Sequence, residues 1–193
     1  MKNVASNDIE VEIKLPLDEK GFARVRERLQ KMAKFIKSTS QVDDYFTPAH
    51  RDFVAPKYPF EWLSIRKRGD KFILNYKHFH PEEAEAKTHC DEFETEVGKA
   101  DKLEKIFSSL NLRKLATIDK QRETYDLNGE FEIALDTVKE LGHFIEIEAM
   151  KDMGGVAATR AKLLEFARFL GLDPANEDKR GYPFLLMRKK GLL

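Results

Sequence analysis

The feature that most constrains this chain is a two-residue alternation of charge and hydrocarbon that returns in segment after segment. In NDIEVEIKLPLD, residues 7–18, Glu10, Glu12 and Lys14 fall on one side of an extended backbone and Ile9, Val11, Ile13 and Leu15 on the other, because side chains on a pleated strand alternate faces. Ser64, Arg66 and Arg68 oppose Leu63 and Ile65. Asn75 and Lys77 oppose Leu74 and Tyr76, and Glu146 and Glu148 oppose Ile145 and Ile147. Glu130, Glu132, Ala134 and Asp136 stand against Phe131, Ile133 and Leu135, while Glu92, Glu94 and Glu96, then Lys120 and Arg122, make further charged rows. One such strand would be the half-solvated member of an ordinary sheet. Seven of them describe a sheet with hydrocarbon on one side and ions on the other.

Helices are available to cover the hydrocarbon. After Pro16 and the capping residue Asp18, Phe22, Val25, Leu29, Met32 and Ile36 recur at helical spacing, with Arg24, Arg28, Lys31 and Lys34 on a solvated outer face. Residues 99–110 repeat Leu103, Ile106, Phe107 and Leu110, and a helix opened by Gly154 and Gly155 repeats Val156, Leu163, Leu164, Ala167 and Leu170. Residues 38–48 read as a strand ending at Pro48, followed by a loop to Pro59. Residues 61–79 form a hairpin around Gly69 and Asp70, 81–90 a long polar and mobile loop, and 112–138 a hairpin across Asn128 and Gly129. The segment RGYPFLLMRKK, 180–190, is apolar but too short to assign.

An apolar sheet face must be buried beneath such helices. Many antiparallel strands curl and close, and closure with the apolar side outward leaves an interior of carboxylates, guanidinium groups and ammonium groups. The expected fold is therefore α+β, a closed antiparallel β-barrel with a charged interior and helices packed outside, in a single domain over 1–193. The composition agrees: 35% of residues are charged and 41% hydrophobic, so some charge belongs inside. With 34 basic and 34 acidic residues the net charge is zero, which gives no bulk attraction to nucleic acid or to a membrane surface. The lone Cys90 closes no intrachain disulfide, no leader pattern opens the chain, and no apolar run approaches a span of about 18 residues. These features set the expectation of a cytoplasmic location. An interior that mixes acids with bases suits a polyanion carried with divalent cations, since Lys and Arg take phosphate oxygens and carboxylates hold the ion.

The charged rows also have a familiar wording. EVEIK (10–14) resembles the ExExK signature of the CYTH family, the triphosphate tunnel metalloenzymes, and the likeness continues in order through SIRKR, NYKHF, DEFETEV, DKQRETY and IALDTVKELGHFIEIEA, over roughly residues 8–190. The last segment is closely similar to the cyclase-like branch. This resemblance implies an eight-stranded antiparallel tunnel with helices outside, acting on a triphosphate-containing small molecule such as inorganic triphosphate, thiamine triphosphate or ATP. By resemblance, Glu10, Glu12 and Glu146 are metal ligands, with Glu148, Glu92 and Glu94 supporting them or holding a second ion. Lys14, Arg66, Arg68, Lys77, Lys120 and Arg122 grip the triphosphate. Glu12, Asp136 and Glu148 are the catalytic acids. Oxygen-only ligands favour Mg²⁺ or Mn²⁺.

Some points stay open in the sequence. Glu96 could replace Glu92 in the middle acidic strand, and Cys90 stands where relatives often carry a basic residue. His78 and His80 share a strand face beside Pro81 and read as incidental rather than as a zinc pair. The acid inventory favours a triphosphatase. A class IV adenylate cyclase converting ATP to cyclic AMP and pyrophosphate is the alternative, a non-catalytic polyphosphate or nucleotide sensor a further one, and an RNA 5′-triphosphate processor the weakest. A homodimer remains an open expectation.

Overall fold

The computed structural model describes residues 9–193, so Asn7 and Asp8 of the first expected strand lie outside the described residues. Among those described, nine strands make one antiparallel sheet: β1 (Ile9–Glu10), β2 (Glu12–Leu17), β3 (Lys34–Thr47), β4 (Glu61–Arg68), β5 (Lys71–His80), β6 (His89–Val97), β7 (Arg113–Leu127), β8 (Phe131–Val138) and β9 (Gly142–Ala149). Their order is β1-β6-β5-β4-β3-β7-β8-β9-β2. The first and last places in that order belong to one continuous segment. Its first half pairs with β6 (Glu10 opposite Cys90) and its second with β9 (Glu12 opposite Glu148), the switch falling at Val11. The N-terminal segment thereby joins the two edges of the sheet and closes the barrel, which removes the exposed edges that would otherwise invite aggregation. Eight strands were expected; the ninth comes from this break.

Three helices cover the outside. Helix α1 (Glu19–Met32) starts where the Asp18 carboxylate accepts the Gly21 N–H at 2.6 Å, and buries Val25 and Leu29. With α3 (Val156–Phe169) it packs on the outward faces of β2, β8 and β9, where Ile13, Leu15, Ile133, Leu135, Ile145, Ile147 and Leu163 form the main core. Each of these side chains is almost wholly buried. Truncating one of them to alanine removes its transfer energy and leaves a cavity, about 2–5 kcal/mol for a Leu or Ile. Helix α2 (Ala100–Ser109) seats Phe107 against Phe46 and Ile65 on the neighbouring wall.

Two expectations need correction. The helical spacing that included Ile36 overshoots: α1 ends at Met32, Ala33 turns extended, and β3 starts at Lys34 with Ile36 46% exposed. The long ladder with β7, from Lys34 opposite Asp126 to Thr47 opposite Arg113, recruits these residues over their local spacing. The polar loop is also shorter than 81–90, because His89 and Cys90 already belong to β6. Its ends are fastened by the Thr88 N–H to His80 carbonyl bond at 2.8 Å, and by the Lys87 ammonium bonded to the carbonyls of Pro81 and Glu82.

The unassigned C-terminal segment is α4 (Tyr182–Lys189). Toward one end of the barrel the inward rows turn from ionic to apolar: Tyr45, Trp62, Ile118, Val138 and Phe144 continue the parity of the charged residues. Tyr182, Phe184 and Leu186 pack on them. Helix α4 therefore caps that end, where α1 to α3 cover the outer wall. The two hairpin turns fall where expected, and Asn128 and Gly129 take positive φ (55° and 68°), as the primed turns of tight hairpins require.

Candidate active site

The inward rows converge on one bore of about 600 Å³. Glu10, Glu12, Lys14, Arg66, Arg68, Lys77, Glu92, Glu94, Lys120, Arg122, Glu146 and Glu148 all line it, so every expected site residue but Asp136 reaches a common space. Register explains the convergence. Across β2, β9 and β8, Glu12, Glu148 and Glu132 stand directly opposite one another, and in the next row Lys14 lies opposite Glu146. Across β4, β5 and β6, Asn75 lies opposite Ser64 and Glu94, and Lys77 opposite Glu92. Like charges directly opposite in a ladder repel, so a row of three carboxylates calls for a cation.

The acidic wall gathers around the seam made by the first segment. The Lys77 ammonium lies 2.6 Å from Glu10, 3.6 Å from Glu12 and 3.6 Å from Glu92. Burial pushes the Glu10 carboxyl well above the ordinary carboxylate range; Lys77 opposes that, while Glu12, Glu92 and Glu148 add to it. Burial also presses on Glu12 and Glu92, but there it is outweighed, chiefly by Lys77, and both are lowered. The register of the middle strand is settled: Arg66 bonds Glu92 at 3.2 Å and Glu94 at 2.6 Å, and Asn75 bonds both. Glu96 instead pairs with Lys71 in an exposed position.

The basic wall is built around Asp136, which is completely buried. It accepts from Lys120 at 3.2 Å, from Arg122 through both oxygens at 2.5 and 2.7 Å, and from the Tyr182 hydroxyl at 2.8 Å. Burial would raise its pKa, yet Arg122 and Lys120 outweigh it and hold the carboxyl below its ordinary value. Arg122 also bonds Glu146, which Lys14 reaches at 3.0 Å. The Lys14 ammonium lies 4.2 Å from the centre of the Tyr182 ring, a cation–π contact. Asp136 thus orients two cations from behind instead of facing the bore.

Strand β3 supplies functional groups that the charged-row reading passed over. Asp43, almost wholly buried, binds the Arg68 guanidinium through both carboxylate oxygens. Lys37, Thr39, Gln41 and Tyr45 share its bore-facing row. Burial raises the Tyr45 hydroxyl to about 12, so it stays protonated as a donor. The signal was present in the alternation of STSQVDDYF. Glu132 was visible in its row too, and Tyr182 had no sequence signal beyond an apolar segment.

The remaining candidates resolve plainly. Cys90 is buried with its Sγ 3.5 Å from Glu10, and burial pushes its thiol far up, so it packs as a small side chain and carries no reactive thiolate. The His78, His80 and His89 rings stack in series with centroids 4.7 and 5.0 Å apart, His78 and His80 paired with Glu82 and Asp91.

The donor set fits a hard divalent cation: carboxylate oxygens only, several from facing strands. As the side chains stand, no group of three His, Cys, Asp or Glu among the described residues is arranged to hold a metal. Polar atoms of the inward rows also await a partner, among them Arg66 Nε, Gln41 Oε1, Ser64 Oγ and Thr124 Oγ1, all buried without a hydrogen bond.

Comparison with known proteins agrees with the geometry. The CYTH domain model matches residues 8–182. A Methanocaldococcus jannaschii protein named "Putative adenylate cyclase MJ0240" is 31% identical over 176 residues, spanning 90% of this chain and 96% of its own length. The structure of the PH1819 protein from Pyrococcus horikoshii OT3 superposes with a TM-score of 0.77 at 29% identity, covering 93% of this chain and 99% of that one. The Hippeastrum protein HpAC1, whose structure is described as revealing a dominant triphosphatase activity, shares the fold at a TM-score of 0.63 and 17% identity, over 95% of each chain.

Proposed function

The chain belongs to the CYTH domain family, and from that premise we propose that it is a divalent-metal-dependent triphosphatase that hydrolyses a phosphoanhydride bond of a triphosphate held in the bore. One observation carries this reading: acids and bases from many strands meet in a single cavity but segregate, with carboxylates in excess around Lys77 and cations in excess around Asp136.

The residues divide the work by charge. Arg66, Arg68, Lys120, Arg122 and Lys14 offer donors to phosphate oxygens, and Lys77 joins them once it leaves the carboxylates. Asp43 and Asp136 set the directions of Arg68, Lys120 and Arg122, so the grip is oriented before substrate arrives. Glu10, Glu12 and Glu146 would hold Mg²⁺ or Mn²⁺, with Glu148, Glu92 and Glu94 beside them. The ion, when bound, neutralises charge on the phosphates and lowers the pKa of water. Glu12, ionised beside Lys77 and Lys14, accepts the proton of the attacking water. As that water bonds to the terminal phosphorus, the bond from that phosphorus to the bridging oxygen breaks, orthophosphate forms, and the guanidinium and ammonium groups stabilise the charge left on the bridging oxygen of the departing diphosphate. Glu148, opposite Glu12, is the second candidate for the base.

A second reading is class IV adenylate cyclase. It is favoured by the name of the 31%-identical relative and by the continuity of the ionic bore with Trp62, Phe79, Tyr182 and Pro183, which leaves room for an organic group. Incubation with ATP, thiamine triphosphate and inorganic triphosphate in Mg²⁺ or Mn²⁺ separates the two. Orthophosphate release supports hydrolysis, cyclic AMP with pyrophosphate supports the cyclase, and no turnover of any of the three refutes both.

A further inference from the structure

Lys77 is counted among the phosphate ligands by its charge, yet it does not stand with the other cations. Its ammonium sits among Glu10 of β1, Glu12 of β2 and Glu92 of β6, at 2.6, 3.6 and 3.6 Å. Those are carboxylates from three strands at the closing seam, all of them poorly exposed. A divalent ion drawn to the acidic wall would seek that same convergence of oxygens, and carboxylates bonded to an ammonium are turned toward it.

We infer that Lys77 is the resident cation of the acidic wall in the metal-free protein: the divalent ion must displace its ammonium, and the displaced lysine then becomes a phosphate ligand. The inference rests on the metal-dependent reading above. Its physical basis is charge. Four carbons of flexible side chain let the ammonium withdraw along the bore. A single positive charge fixed near a divalent site opposes metal entry at close range in a partly dry interior. The same displacement couples the ligands, because metal binding frees a donor for the triphosphate and triphosphate binding draws the lysine away from the metal seat, and the coupling must be equal in both directions.

The test measures metal affinity without substrate. Mn²⁺ is titrated into the intact protein at pH 8 by calorimetry, comparing wild type with Lys77→Met, Lys77→Arg and Lys120→Met, each checked for fold by circular dichroism. Lys77→Met is expected to bind Mn²⁺ tighter by on the order of tenfold or more, while triphosphate turnover falls. Lys77→Arg keeps the charge and should not gain. Lys120→Met, whose lysine is paired with Asp136, should gain little. Wild type with ¹³C-labelled lysine ε-carbons, titrated with Mg²⁺, gives a readout that needs no variant: the Lys77 resonance should move first and furthest. Equal or weaker Mn²⁺ binding by folded Lys77→Met, or a Lys77 resonance indifferent to Mg²⁺, overturns displacement while leaving the metal site standing. No metal binding by any of these proteins overturns displacement together with the metal-dependent reading.

Discussion

Two ionic clusters face each other across the bore, made from the same residue types in opposite proportion. Around Lys77, three carboxylates share one ammonium; around Asp136, one carboxylate is shared by Lys120, Arg122 and Tyr182. The first has negative charge to spare and the second positive. A barrel whose buried ions were there only for stability would balance each cluster locally, because an uncompensated buried charge is strongly destabilising. Segregation of the excess prepares one wall for a cation and the other for an anion, and each wall has a different weak point.

The largest effect should come from unbalancing the basic wall. Asp136→Ala takes the buried Lys120 ammonium's carboxylate away and leaves Arg122 with Glu146 alone, and urea unfolding should show a loss of about 3–5 kcal/mol. Unchanged stability would mean that the cluster is not held by Asp136. The acidic wall should respond in the other currency. Glu12→Ala is expected to lower turnover by about a hundredfold or more with little change in melting temperature, since it removes a carboxylate from a wall rich in them. On the border between the walls, Arg66→Ala should raise the apparent KM about tenfold and affect kcat less; an unchanged KM takes Arg66 out of the grip.

The smallest effect is in the pH dependence of stability, where the clusters differ in sign. The Asp136 carboxyl is depressed in the folded state. Its stabilising contribution is present above the unfolded value and lost as pH falls through the folded one, so Asp136→Asn should flatten the acid limb of the stability curve. Glu10 is raised. Its ionisation opposes folding increasingly as pH rises above the unfolded value, so Glu10→Gln should raise the melting temperature at pH 7 and leave it unchanged near pH 4. Calorimetry at both pH values checks the pair, and equal pH slopes in the two variants would erase the contrast.

Much of this was legible in the sequence because strand parity is a strict code. Once Ile13, Ile133, Ile145 and Ile147 are assigned to helix-covered faces, Glu12, Glu132, Glu146 and Glu148 must point the other way. Parity gives the face and not the partner. That Lys77 joins the acids, or that Asp136 stands behind Lys120 and Arg122, depends on which strands become neighbours and in what register. Closure by a segment that changes partners at Val11 leaves no local mark, since EVEIK reads as one strand whichever side it pairs with. Asp43 and Tyr45 were hidden for a different reason. Their row, Thr39, Gln41, Asp43 and Tyr45, sets one charge among neutral polar groups, and such a row looks like an ordinary solvated face. The floor made by α4 is a tertiary event, fixed by packing on Trp62, Ile118 and Phe144.

The most direct test of the two-wall arrangement is a crystal structure of the protein with Mn²⁺ and a slowly hydrolysed triphosphate analogue, read by Mn anomalous scattering. Expected are an anomalous peak among Glu10, Glu12 and Glu146, phosphate oxygens against Arg66, Lys120 and Arg122, and the Lys77 ammonium withdrawn from Glu10. A triphosphate bound on the outer surface, or manganese lodged away from those carboxylates, would contradict that arrangement.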